Sequence, residues 1–89
     1  MPTALQLERI EQVLSRRASK RSKLYVDISA GRWTPPIRMG RAVCWPVNET
    51  EKLLAAHIAG ATEEQMKGLV RELLEQRRAL MPSLNSSAA

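Results

Sequence analysis

Residues 18–31 read Ala-Ser-Lys-Arg-Ser-Lys-Leu-Tyr-Val-Asp-Ile-Ser-Ala-Gly, and how they fold governs the arrangement of everything around them. Ser19 is placed to cap a helix from about Lys20 to Ala30. Leu24 and Ile28 fall one turn apart on its inner face with Tyr25 beside them, and Gly31 supplies the C-terminal stop. The opening turn, Lys20, Arg21, Ser22 and Lys23, joins three cations and a hydroxyl to the free backbone N–H groups of a helix start. Cations at the positive end of a helix weakly disfavour it, so an external anion is a natural compensation.

Upstream, Thr3 and Gln6 have capping-box spacing, and Leu7, Ile10 and Leu14 recur at helical intervals with Val13 next to them. They predict a first helix ending near Arg16, with a short extended segment at Leu5 and Leu7 that pairs elsewhere as the alternative to its opening. A short turn joining two short amphipathic helices is the helix-turn-helix format. Its second helix offers N-terminal residues and an outer face to a DNA major groove.

Downstream, RWTPPIRMGRAVCWP (residues 32–46) forbids a continuing helix at Pro35 and Pro36. Ile37–Met39 and Ala42–Trp45 are β-favouring runs around Gly40 and Arg41, which predicts a two-stranded hairpin with a type II′ turn and Arg41 at its tip. Either Val43 with Trp45 or Ile37 with Met39 must pack on the helices, because so small a ribbon is unstable alone. A third helix starts near Pro46–Asn48 and carries the stripe Leu53, Leu54, His57 and Ile58 up to Gly60. Thr62 and Gln65 repeat the capping box before a fourth helix, about Glu63 to Leu80, ended by Pro82. Residues 82–89 read as an unstructured polar tail.

The chain has 89 residues, 44% of them hydrophobic, with no Phe and only Trp33, Trp45 and Tyr25 aromatic, so its core must be mostly aliphatic. One Cys44 excludes an internal disulfide, and with one His57 it cannot complete a four-ligand Cys/His zinc site. No apolar run approaches membrane-spanning length and the first residues carry acids, so the chain reads as soluble and cytoplasmic. Residues 1–45 hold nine bases and three acids, a net of +6, whereas residues 46–89 hold five bases and six acids, a net of −1. A one-sided positive potential attracts polyanions, nucleic acid first; charge alone is explained equally well by solvation.

Three stretches, VLSRRASKRSKLY, ISAGRWTPPIRMG and RAVCWPVNETEKLLAAHIA, occur in an order that resembles the AlpA type of winged helix-turn-helix. These are small prophage regulators and excisionase-like proteins related to the DNA-binding domain of the MerR superfamily, and the likeness covers about residues 7–60. It implies a mainly α winged helix-turn-helix with a two-stranded hairpin as wing and an added C-terminal amphipathic helix. Arg21 and Ser22 match the residues that meet phosphate and base edges, Tyr25 matches a tyrosine of the same helix, and Arg41 matches the wing arginine. Gly31, Val43 and Trp45 match structural positions. The chain departs from the pattern at Ala18, Ser19 and Lys20 in the inter-helix turn, at Val26, often basic, and at Asp27, which puts a negative charge near the DNA-facing side.

The expected DNA-contacting residues are therefore Lys20, Arg21, Ser22, Lys23, Tyr25, Arg38 and Arg41, with Arg16 and Arg17 touching phosphate or nothing. A hairpin tip ordinarily takes Asn, Asp or Gly, so turn chemistry does not account for Arg41. Burial is the default for the three aromatic residues and for Cys44, and His57 reads as a packed or partly exposed side chain and not as a ligand or base. No nucleophile, base and orienter assemble around Cys44 or His57, so no enzyme, cofactor, metal or small-molecule ligand is expected. With residues 1–60 read as the DNA-binding domain, the stripe Met66, Leu69, Val70, Leu73 and Leu74 in residues 61–81 lacks a partner. It either folds back on the domain as ordinary core or, as the favoured expectation, pairs with a second copy, as in homodimeric DNA binders. The expected partner is double-stranded DNA, in transcriptional control or in architectural bending; a protein-interaction adaptor with a non-specific basic surface is the rival.

Overall fold

A computed structural model describes residues 5–81. Thr3 of the first capping-box pair and the tail 82–89 lie outside the described residues. The elements run β1 (Leu7–Arg9), α1 (Ile10–Arg17), α2 (Arg21–Ser29), β2 (Ile37–Met39), β3 (Ala42–Pro46), α3 (Val47–Ile58) and α4 (Glu63–Ala79). The described chain is mainly helical, with one small antiparallel sheet.

The sheet corrects the two-stranded expectation. It has three strands in the order β1-β3-β2, and Leu7 belongs to a strand, so α1 opens only at Ile10. A hairpin of three-residue pairing would leave the other edge of β3 with unpaired backbone groups. β1 pairs along that edge, with Leu7 opposite Pro46 and Arg9 opposite Cys44, and the Gln6 carbonyl accepts from the Val47 N–H at 2.9 Å. Glu8 stands opposite Trp45, and Arg38 opposite Val43. Trp45 is fully buried and Val43 packs on the core, whereas Met39 is mostly exposed, so the Val43–Trp45 face meets the helices. The Trp45 indole N–H donates to the Thr34 carbonyl at 2.8 Å, which gives its buried polar atom a partner.

Three helices end in the same way. The N–H of Arg32 reaches the Asp27 carbonyl at 2.8 Å and that of Gly31 the Ile28 carbonyl at 3.1 Å, with Gly31 at φ +80°. This Schellman arrangement satisfies the last carbonyls of α2. Gly60 ends α3 in the same manner. On α1 the left-handed position is held by Ala18, at φ +54°, with Ser19 N–H on the Leu14 carbonyl and Ala18 N–H on that of Ser15. The turn keeps its geometry with a residue whose Cβ disfavours it.

α2 starts one residue later than its sequence suggested. Lys20 is the N-cap, in extended backbone, and its carbonyl accepts from the Leu24 N–H at 3.2 Å. Ser19 caps nothing, because its hydroxyl accepts from Arg17 Nε at 3.1 Å. At α4 the expected capping box is present: Gln65 N–H donates to Thr62 Oγ1 at 3.1 Å, and Thr62 N–H to Gln65 Oε1 at 2.8 Å.

A single core gathers Ile10, Val13, Leu24, Trp33, Trp45, Leu53, Met66, Val70 and Leu73, with Leu69 and Leu74 packed on its edge. The α4 stripe is thus covered by its own chain. The expectation that Met66, Leu69, Val70, Leu73 and Leu74 form a dimer seam is corrected, because the helices and sheet before residue 60 leave an apolar face that α4 closes. Residues 61–81 share this core and are no appendage to residues 1–60. α3 turns differently from its predicted stripe: Glu49, Thr50 and Leu53 face inward, while His57 and Ile58 are exposed. Glu49 is tolerated inside because Arg77 of α4 donates to both its oxygens, at 2.7 and 2.8 Å, and also to the Pro35 carbonyl at 2.8 Å. That one guanidinium ties α4 to α3 and to the loop leaving α2.

Candidate nucleic-acid interface

Arg17 ends α1 and faces α2 across the Ala18–Lys20 turn. Its Nη2 lies 2.5 Å from Asp27, its side chain is buried, and its guanidinium carbon sits 4.4 Å from the centre of the buried Trp33 ring. Asp27 is buried as well and also accepts from Arg32 at 2.9 Å and Lys23 at 3.2 Å. Burial pushes the Asp27 carboxyl up, but the hydrogen bonds from Arg17, Arg32 and Lys23 outweigh it and hold the group below its usual range. Two expectations are corrected here. Asp27 is no negative spot on the outer side of α2, and Arg17 is committed inside the protein, because a carboxylate one turn from the helix end can be buried only if cations enclose it.

Glu8 is the other buried acid of this half, bonded to Arg16 Nε at 2.9 Å while Arg16 stays partly exposed. Of the three acids in residues 1–45, only Glu11 is therefore exposed. Lys20, Arg21, Arg38 and Arg41 are all exposed and form no ion pair with an acid among the described residues. Lys23 keeps 59% of its side-chain surface exposed despite its contact with Asp27. The folded front half thus hides two carboxylates and shows most of its cations, Arg17 and Arg32 excepted.

Those cations sit on two elements. Lys20, Arg21 and Lys23 surround the first turn of α2, whose leading N–H groups carry the positive end of the helix. Arg41 occupies the two-residue turn between Met39 and Ala42, following Gly40 at φ +65°, and Arg38 lies on β2. Gly40 with positive φ and Arg41 without it have the sign pattern of the expected type II′ turn. Along α2, Ser22, Tyr25, Val26 and Ser29 line a shallow exposed concavity. Tyr25 is thus outside, unlike Trp33 and Trp45, which meet the expectation of burial. Behind α2, Arg16, Lys23 and His57 border a second concavity of about 440 Å³, with Asp27 and Arg17 in its wall.

The sequence pattern points to Asp27 only as a surface charge and gives no role to Arg32, Glu49 or Arg77. The Lys23–Asp27 spacing of four was visible as a helical ion pair, but the contacts from Arg17, ten residues away, and Arg77, 28 residues from Glu49, depend on the tertiary fold. No helix of the described residues is long and apolar enough to cross a membrane. Comparison of the chain with protein-family models, curated proteins and solved structures finds no match.

Proposed function

We propose that this chain is a sequence-specific double-stranded DNA-binding protein, a cytoplasmic transcriptional regulator of the small prophage kind. In this reading the fold is a winged helix-turn-helix: α2 enters the major groove and the β2–β3 hairpin lies as a wing on the backbone or minor groove. The observation that carries it is the sorting of charge. Asp27 and Glu8 are buried and each is paired with at least one cation, while Lys20, Arg21, Arg38 and Arg41 face solvent unpaired, on a half with one exposed carboxylate. Cations gathered at a helix start and at a two-residue turn favour phosphates, since each releases a counterion on contact. The three-residue link from Ala18 to Lys20, locked by the Schellman bonds of α1, sets the angle at which α2 is presented.

Selection of bound duplexes from a random DNA pool, followed by titration at two salt concentrations, tests the reading. A sequence reader keeps its preference for the selected duplex at the higher salt. An adaptor with a merely basic surface loses all preference there, and that result rejects the proposal.

A further inference from the structure

The outer side of α2 is unusual for so short a helix. Arg21, Ser22, Tyr25, Val26 and Ser29 recur at spacings that place them on one face, opposite Leu24 and Asp27. Tyr25 is 40% exposed and Val26 54% exposed, in a chain with only three aromatic side chains. Asp27 is the only acid of α2 and points inward, so this face is apolar in its middle, carries hydroxyls beside it, and is cationic at its head.

We infer that this face distinguishes sites by the 5-methyl group of thymine, with Val26 as the principal contact and Tyr25 beside it. The inference rests on the proposed DNA-binding reading and adds what is read. Lys20 and Arg21 call for a polyanion, and the apolar centre calls for apolar surface on that same polyanion. In a major groove the thymine methyl is the one apolar feature on the base edges, and it marks which strand of an A·T pair carries T. Ser22 and Ser29 can donate or accept, so they tolerate any base edge and leave discrimination to the apolar pair. Val26 is β-branched and stiff at χ1, so its methyls are held in place before contact.

The test uses the full chain and the duplex it selects from a random pool. Each thymine of that duplex is replaced in turn by deoxyuridine, which removes one methyl and leaves pairing intact. Wild type is expected to lose about threefold to fivefold in affinity at one or two positions, the effect of one unburied methyl. Val26→Ala, an exposed change that leaves the fold alone, is expected to bind the thymine and deoxyuridine forms equally. If wild type binds a preferred duplex but is indifferent to every deoxyuridine, or if the discrimination survives unchanged in both Val26→Ala and Tyr25→Ala, thymine reading by this face is wrong and DNA recognition still stands. If no duplex is preferred at all, the DNA-binding reading falls and this inference falls with it.

Discussion

Arg17 and Arg21 stand four residues apart on either side of one turn, and the fold uses them in opposite ways. Arg17 is enclosed against Asp27 and Trp33, while Arg21 opens α2 exposed and in no ion pair with a described acid. The same division separates Arg32 and Arg77, each bonded to a buried carboxylate, from Arg38 and Arg41 on the hairpin. A count of bases therefore overstates what the front half offers a partner and understates how exclusively positive its surface is. What decides a cation's role is the carboxylate that the fold brings to it.

The largest expected effect breaks the inner set. Arg17→Ala should lower the free energy of unfolding by about 3 kcal/mol, because Asp27 stays buried with its closest cation gone. Arg21→Ala should stay within about 0.5 kcal/mol of wild type in the same denaturant titration. Equal losses for both would erase the distinction. On the outer set, Arg21→Ala should weaken binding to the selected duplex by about 1 to 3 kcal/mol if it meets a base edge, and less if it meets only phosphate.

Acid sharpens the contrast further. The Asp27 carboxyl titrates below its ordinary value when folded, so it binds its proton less readily in the native state than in the unfolded one. Its contribution to stability is complete above the unfolded value of about 3.9 and is lost as pH falls through the folded value. Thermal melting of wild type should steepen in its pH dependence below about pH 4, and Asp27→Asn, although less stable at neutral pH, should show a shallower acid slope. An unchanged slope in that variant would place the linkage elsewhere.

The smallest effect concerns the turn that separates the two arginines. Ala18 holds a left-handed backbone that Gly31 and Gly60 hold without penalty, so Ala18→Gly should raise stability by about 0.5 to 1 kcal/mol. Loss of stability on that change would mean that the Ala18 methyl packs usefully.

Local signals made much of this fold legible. The Thr62–Gln65 capping box, the stops at Gly31 and Gly60, and the Gly40–Arg41 turn are chemistry of neighbouring residues and were readable as such. The α4 stripe was visible too, but periodicity reports which face is buried and not what buries it, so its cover by the same chain required the tertiary arrangement. β1 is three residues long, too short for alternation to distinguish it from a helix start. Within the candidate site, the exposed cations of α2 and the hairpin followed from sequence, whereas the burial of Asp27 did not. A lone acid on a basic helix looks like a surface charge until Arg17 and Arg32 converge on it from outside the helix.

One titration bears most directly on the claim that the exposed cations are the DNA-binding surface. Wild type, Arg21→Ala and Arg41→Ala are titrated with the selected duplex and with an unrelated one at two salt concentrations, after melting has confirmed equal stability. Arg21→Ala should lose affinity chiefly for the selected duplex, and Arg41→Ala should weaken both and lower the salt slope by about one. Wild-type affinity and slope in both variants would contradict that claim.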